Sequence, residues 1–234
     1  MHDAQENMSF ASSLSPQGMP SAVIFDMDGT LVATTEADFL AWQKLFYEFG
    51  TDLSYEGYFP LLGRKSQDVV EHILGLEGEV AQRAMARKME LFAEIVRVQG
   101  IHVMPHAEDF LDTLAGAGIP MALATSSRKR KMQLVMQDTG LGKYFPVMVA
   151  GEEVETGKPH PGIFLLAADK LGADPGRCLV LEDTSSGIAA AKSAGMKCIA
   201  IVSTHEAKDL GQADHIIRDF SELSLDLLAN CMGR

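Results

Sequence analysis

Short apolar runs recur along the chain at residues 22–25, 121–124, 147–150, 178–181 and 198–202. Each is hydrophobic at nearly every position. That pattern belongs to a strand buried on both faces, not to one with a wet side. Helical spacing fills most of the intervals. Residues 107–117 place Phe110, Leu111 and Leu114 on one side, 131–139 place Leu134 and Val135, and 161–171 place Phe164, Leu165 and Ala168. Residues 185–194 are small and apolar, suited to close packing on a sheet. Gly118, Gly140, Gly172 and Gly195 follow these segments, where a helix commonly ends in a left-handed residue. Strand and helix in alternation predict a parallel α/β sheet with right-handed crossovers.

One stretch breaks the alternation. Residues 34–99 contain no convincing strand. Residues 36–49 are amphipathic through Phe39, Trp42, Leu45, Phe46 and Phe49, and residues 67–74 form a shorter helical pattern. Residues 79–98 repeat Met85, Met89, Phe92 and Val96 at helical spacing. Apolar residues at this period usually face inward, so they read as core rather than as a cofactor box. The expectation is a helical block inserted after the first strand of an α/β domain, and 234 residues suffice for both.

Composition narrows the function classes. Twenty Lys and Arg stand against 32 acidic residues, a formal net charge of −12. Such a chain repels nucleic acid and anionic membranes, and no apolar run approaches a membrane-spanning length. Residues 1–20 lack the basic start and continuous apolar core of a signal peptide, and their Ser, Gln, Pro and Gly read as a loosely ordered N-terminal extension. The three cysteines, Cys178, Cys198 and Cys231, lack metal-site spacing, and two lie in strand-like runs. They read as small buried hydrophobes in a reducing, cytoplasmic setting.

The chemistry-bearing residues stand where the runs end. In VIFDMDGT, residues i and i+2 of an extended segment point the same way, so Asp26 and Asp28 project together. Open α/β sheets bind ligands at the carboxyl edge, and paired carboxylates there are costly without a cation. A plain Asp/Gly turn explains the same letters. After MALA come Thr125, Ser126 and Ser127, either an anion-binding helix start or an ordinary N-cap. GKPHPG places Lys158 in a loop pinned by Pro159 and Pro161, and CLVL is followed by Glu182 and Asp183. Carboxylates with phosphate and water are what Mg2+ prefers.

DxDGT, Ser/Thr, Lys-Pro and Glu-Asp at successive strand ends resemble the haloacid dehalogenase superfamily, over nearly the whole chain from Ala22 to about Ala229. GKPHPGIF and LEDTSSGI resemble its β-phosphoglucomutase-like branch, which contains many sugar-phosphate phosphatases. The resemblance implies a Rossmann-like parallel-sheet core (residues 21–33 and 101–234) with an inserted all-helical cap domain (residues 34–100). It implies a Mg2+-dependent phosphatase acting on a small phosphorylated metabolite, a sugar phosphate above all, with neither nucleic acid nor membrane as partner and no oligomeric state assigned. Carried over residue by residue, Asp26 is the nucleophile and Asp28 the general acid and then base. Asp26, the Asp28 carbonyl and Asp183 hold the metal, with Glu182 a direct or water-mediated ligand. Lys158, Thr125 and the Ser126 N–H bind the phosphoryl oxygens.

The sequence also departs from the mutases of that branch. Their histidine soon after the first motif is Asp38 here, and the common aspartate directly after DGTLV is Ala33. Their cap-loop lysine and arginine fall on Leu62 and Ser66, while Arg64 and Lys65 offer charge in another register. Asp38, Gly63, Arg64 and Lys65 are therefore the candidate substrate-binding residues. The RKRK run of residues 128–131 reads as surface, with Arg128 alone near the phosphate, and His102, His106 and His160 are not metal-spaced. These departures favour a phosphatase over the alternative, a hexose-phosphate mutase. A phospho-receiver domain shares the acidic pair, Ser/Thr, lysine and Mg2+ but needs no cap, and ranks below both.

Overall fold

All of the apolar runs form strands in the computed structural model, which describes residues 18–233. They are β1 (Ala22–Phe25), β2 (Met121–Thr125), β3 (Val147–Ala150), β4 (Cys178–Glu182) and β5 (Lys197–Ile201). A sixth, β6 (His215–Ile217), escapes the apolar-run pattern because it is three residues long and begins with a half-buried histidine. The sheet order is β3-β2-β1-β4-β5-β6 and every pair is parallel. The connections reverse direction between β1 and β4, and a crevice opens at the carboxyl ends of these central strands. A phospho-receiver's flavodoxin-like order differs from this one.

Alternation along β1 divides the core. Val23 and Phe25 join one cluster, which continues into Phe110, Leu111 and Phe220. Ile24 joins the other, with Val149, Phe164 and Val180. Phe25 is wholly buried, and burial of such a ring stabilises the fold by roughly 1.5–3 kcal/mol.

The helices are α1 (Thr35–Glu48), α2 (Tyr55–Tyr58), α3 (Ser66–His72), α4 (Gly78–Gln99), α5 (Ala107–Gly116), α6 (Lys129–Thr139), α7 (Gly162–Leu171), α8 (Ser185–Ser193) and α9 (Leu225–Met232). The two shortest of the unforeseen elements, α2 and β6, offer too few residues for a period to register. On α7 the inward face is Ile163, Phe164, Ala167 and Ala168, and Leu165 turns outward. All four glycines expected at helix ends take positive φ.

Helices α1–α4 form one block, with Trp42, Leu45 and Phe46 packed in the same cluster as Met85, Met89 and Phe92. The chain leaves and re-enters the sheet region at one place. Ala33 N donates to His102 O (2.9 Å) and Met104 N to Leu31 O (2.9 Å), and Val32 bridges to Val103. The block lies across the carboxyl edge of the sheet. The Phe59 ring sits 4.7 Å from that of His205, and Gly63 packs on Thr184 and Ser186. Most of the loosely ordered extension expected at residues 1–20 lies outside the described residues.

Candidate active site

Strand β1 delivers Asp26 to the crevice, and β4 delivers Glu182 and Asp183 beside it. Lys158, from the loop before α7, joins them. Its ammonium donates to Asp26 Oδ1 (2.5 Å) and Glu182 Oε1 (2.7 Å) and rests 4.8 Å from the centre of the Phe164 ring. The other Glu182 oxygen accepts from the N–H groups of Asp183 and Thr184, both at 2.7 Å, and from Thr184 Oγ1 at 2.9 Å. Glu182 is thus turned inward and holds Lys158, where the sequence suggested a metal ligand.

Asp183 is fully buried. It accepts from Thr30 Oγ1 (2.9 Å), from Thr204 Oγ1 and from Ser203 Oγ (3.3 Å). Gly29, at φ +83°, permits this arrangement, since a Cβ there would lie 2.2 Å from Asp183 Oδ2. The missing side chain brings the Asp28–Gly29 main chain against the Asp183 carboxylate.

Asp28 is held by three donors. Thr34 Oγ1 and Lys131 Nζ (2.8 Å) bind one oxygen, and Ser127 Oγ (2.6 Å) binds the other. Lys131 also binds Asp38 (2.7 Å), which is bound in turn by Lys88 and by the Tyr58 hydroxyl (3.1 Å). A chain of alternating charge, Asp28–Lys131–Asp38–Lys88, with both lysines buried and both aspartates partly so, therefore runs from the sheet edge into the helical block.

Of the phosphate candidates, Thr125 Oγ1 caps the Ser127 N–H (3.1 Å). Ser126 Oγ is buried and has no hydrogen-bond partner among the described residues. Asp26, Thr125, Ser126, Asp38, Gly63 and Arg64 line one cavity of about 50 Å3. Lys65 does not reach it: its ammonium donates to the carbonyls of Val154 (2.9 Å) and Glu155 (3.0 Å). Arg64 is exposed, and Arg128 pairs with Glu152 at 3.0 Å on the rim.

A family profile described as haloacid dehalogenase-like hydrolase matches residues 23–201. The chain belongs to that family. It is 32% identical over 200 residues to a phosphorylated carbohydrates phosphatase of Thermotoga maritima, covering 82% of this chain and 90% of that one. It is 30% identical over 215 residues to the β-phosphoglucomutase of Bacillus subtilis, covering 88% and 93%. The solved β-phosphoglucomutase of Clostridium difficile shares its fold, with a TM-score of 0.84, 24% identity, and coverage of 92% and 98%.

Within this family fold, the reading of residues 128–131 as surface needs correction. Lys131 is buried and lies inside the site. The signal was present in the periodicity, because Lys131 precedes the buried Val135 by four residues on α6. Lys88 was missed for the same reason. It stands four residues before Phe92, on the stripe that buries α4. Ser127 and Thr34, which anchor Asp28, carry no comparable signal; short hydroxyl side chains are common beside any strand or helix end.

The electrostatics follow from burial and neighbours. Burial pushes the Asp26 carboxyl well above the usual range, opposed by Lys158 and reinforced by the charges of Glu182 and Asp183. Burial, then Glu182, lifts Asp183 to about 7. Against burial, Lys131 and Lys88 pull Asp38 below the usual carboxylate range. Asp28 and Asp38 likewise hold Lys131 up despite its burial. One lysine facing Asp26, Glu182 and Asp183 leaves excess negative charge in a buried place, which a divalent cation would offset. No three His, Cys, Asp or Glu side chains among the described residues are already placed so that together they could hold a metal ion. Mg2+ does not require one. It binds through one or two carboxylates and keeps waters and substrate phosphate as its other ligands. Asp26, Asp183 and the adjoining Asp28 main chain suit that pattern.

A stability measurement checks this fit. Asp183 titrates near 4 unfolded but at about 7 folded, so the folded protein binds the extra proton between those values. Its contribution is present at low pH and is lost as pH rises towards 7. His205, which burial holds below its usual value, works in the opposite sense. The quantity to read is therefore the difference in melting temperature with Mg2+ and with chelator. That difference is expected to widen from pH 5 to pH 8. A difference that is absent, or that narrows, contradicts the metal site.

Proposed function

We propose that the protein is a Mg2+-dependent phosphatase of small phosphorylated metabolites, with sugar phosphates as the preferred class, working through an aspartyl-phosphate at Asp26. The carrying observation is the buried Asp26–Lys158–Glu182 arrangement beside Asp183, at the point where the strand order reverses. The chain is a phosphoric monoester hydrolase of its family, and the phosphorylated carbohydrates phosphatase of Thermotoga maritima supports the substrate class.

In this reading an Asp26 oxygen attacks phosphorus while Lys158 and the 125–127 turn hold the non-bridging oxygens. Asp28 acts as general acid, passing a proton to the departing alkoxide. It then takes a proton from water as that water attacks the phosphorus of the aspartyl-phosphate, releasing inorganic phosphate and restoring Asp26. Bound Mg2+ supplies screening between Asp26 and the phosphoryl oxygens. The remaining work is placement and charge stabilisation by fixed groups, which phosphoryl transfer chiefly needs.

We assign residues 34–100 as a cap. A cavity of about 50 Å3 admits a phosphoryl group and little else, whereas ligand pockets run to roughly 300–1,000 Å3. The cap therefore opens to admit substrate, flexing where residues 32–35 and 99–105 run together. Asp38, Gly63 and Arg64 then face the leaving group, beside Trp42 and Tyr58. The buried free thiols of Cys178 and Cys198 support a reducing, cytoplasmic setting. Among the described residues no helix is long and apolar enough to cross a membrane.

A panel of sugar phosphates and other small phosphate esters, scored for both released phosphate and isomerised sugar, tests this reading. Phosphate release with Mg2+ is expected, at least tenfold faster than any isomerisation. Conversion of β-glucose 1-phosphate to glucose 6-phosphate without phosphate release would replace it with the mutase.

A further inference from the structure

Lys65 was expected at the substrate and is instead buried elsewhere, 9% exposed. It stands in the cap loop just before α3, and its side chain crosses to the sheet side. There its ammonium donates to Val154 O at 2.9 Å and Glu155 O at 3.0 Å. Among the described residues no carboxylate forms an ion pair with it. A lysine seldom gives up water for main-chain carbonyls alone, because burying its charge is costly unless donors are well placed.

The stem is placed as specifically as the head. A Cβ on Gly157 would lie 2.7 Å from Lys65 Cγ and 2.8 Å from Cδ. Gly157 is not among the glycines with positive φ, so its backbone does not demand glycine. The space for the Lys65 stem does. The next residue is Lys158, whose ammonium lies 2.5 Å from Asp26 and 2.7 Å from Glu182. The cap loop thus grips a five-residue segment, 154–158, at its beginning and again beside its end. Two residues earlier, Gly63 touches Thr184, whose hydroxyl binds Glu182.

We infer that Lys65 is a positioning residue: as the cap closes, its stem fills the gap at Gly157, its ammonium binds the Val154 and Glu155 carbonyls, and the segment presenting Lys158 to Asp26 is fixed. The catalytic consequence rests on the role proposed for Lys158; the latch itself does not. Lys158 is then held at full effect only when the cap is shut, so an open site hydrolyses poorly.

Four variants of the full chain test this: Lys65→Met, which keeps the stem but removes the donors; Gly157→Ala, which displaces the stem; Lys65→Ala; and Lys65→Ala combined with Gly157→Ala. Hydrogen exchange across residues 154–158 is read without substrate, and kcat and KM are read on the best ester of the panel. Lys65→Met is expected to speed exchange in that segment roughly tenfold, and to lower kcat roughly tenfold with KM changed less than threefold. Gly157→Ala is expected to do the same in the parent protein and to add nothing to Lys65→Ala, since the atoms it displaces are gone. Unchanged exchange in Lys65→Met, or a Gly157→Ala effect that is the same in both backgrounds, overturns the latch. Coupled exchange in a protein that hydrolyses no phosphate ester keeps the latch and removes the phosphatase reading.

Discussion

Asp26→Asn is expected to lower phosphate release by at least ~10^4 while leaving the fold intact, because it replaces the carboxylate proposed to form the covalent intermediate by an amide. Few buried charged residues can be changed so cheaply. Lys158 keeps Glu182 at 2.7 Å when Asp26 is neutralised, so no cation is stranded. The three carboxylates that crowd together lose one charge, and burial already pushes Asp26 towards its neutral form. Melting within about 1 kcal/mol of the parent protein is expected, since the costly outcome of breaking a buried pair is a partner left alone. Phosphate release within tenfold of the parent would remove Asp26 from the nucleophile's role.

Lys158→Met is expected to fail on both counts. It matches the lysine in length but withdraws the ammonium that faces Asp26 and Glu182. Two buried carboxylates are left uncompensated, a change that typically costs about 3–5 kcal/mol. It also removes the fixed positive charge proposed to face the phosphoryl oxygens, worth roughly 10^2–10^3 in kcat for a single donor and more for a full charge. Denaturant melts and steady-state rates read the two effects separately. A variant with unchanged stability would show that the carboxylates are not held by Lys158. A variant with unchanged kcat would show that it does not touch the reaction.

The contrast between these variants explains what was legible in the sequence. Strand ends are local: an apolar run followed by Asp26, Thr125 or Glu182 and Asp183 announces both the strand and the residues at its carboxyl edge. The parallel sheet and the helical stretch after its first strand followed from the same alternation and its interruption; the order of the strands did not. What the letters concealed was direction in space. Lys65 and Arg64 were equally plausible beside the site, and a difference in where each side chain turns sends Lys65 to the Val154 carbonyl and leaves Arg64 exposed at the cavity. Lys88 and Lys131 were hidden by the habit of reading lysine as solvated, although each sits on a buried helical stripe. Glu182 was legible as an acid at a strand end. That its oxygens would be spent on Lys158, Thr184 and two N–H groups depends on the turn after β4.

The departure at Asp38 gains meaning in the same way. Read alone, it was a missing histidine. In the structure it bridges Lys88 of α4 and Lys131 of α6, and Lys131 holds Asp28. The residue that differs from the mutases is thus joined through one lysine to the proposed general acid and base. The helical block and the rest of the fold are tied at this point as well as at Lys65.

The nucleophile is tested most directly by a rapid acid quench of the protein with a 32P-labelled substrate taken from the panel, followed by peptide mapping. Hydroxylamine-labile label is expected on the peptide containing Asp26. It should appear within the first turnover, chase into inorganic phosphate, and be absent from Asp26→Asn. Label that passes to phosphate without ever residing on that peptide, or that appears on the Asp26→Asn protein, would contradict an aspartyl-phosphate at Asp26.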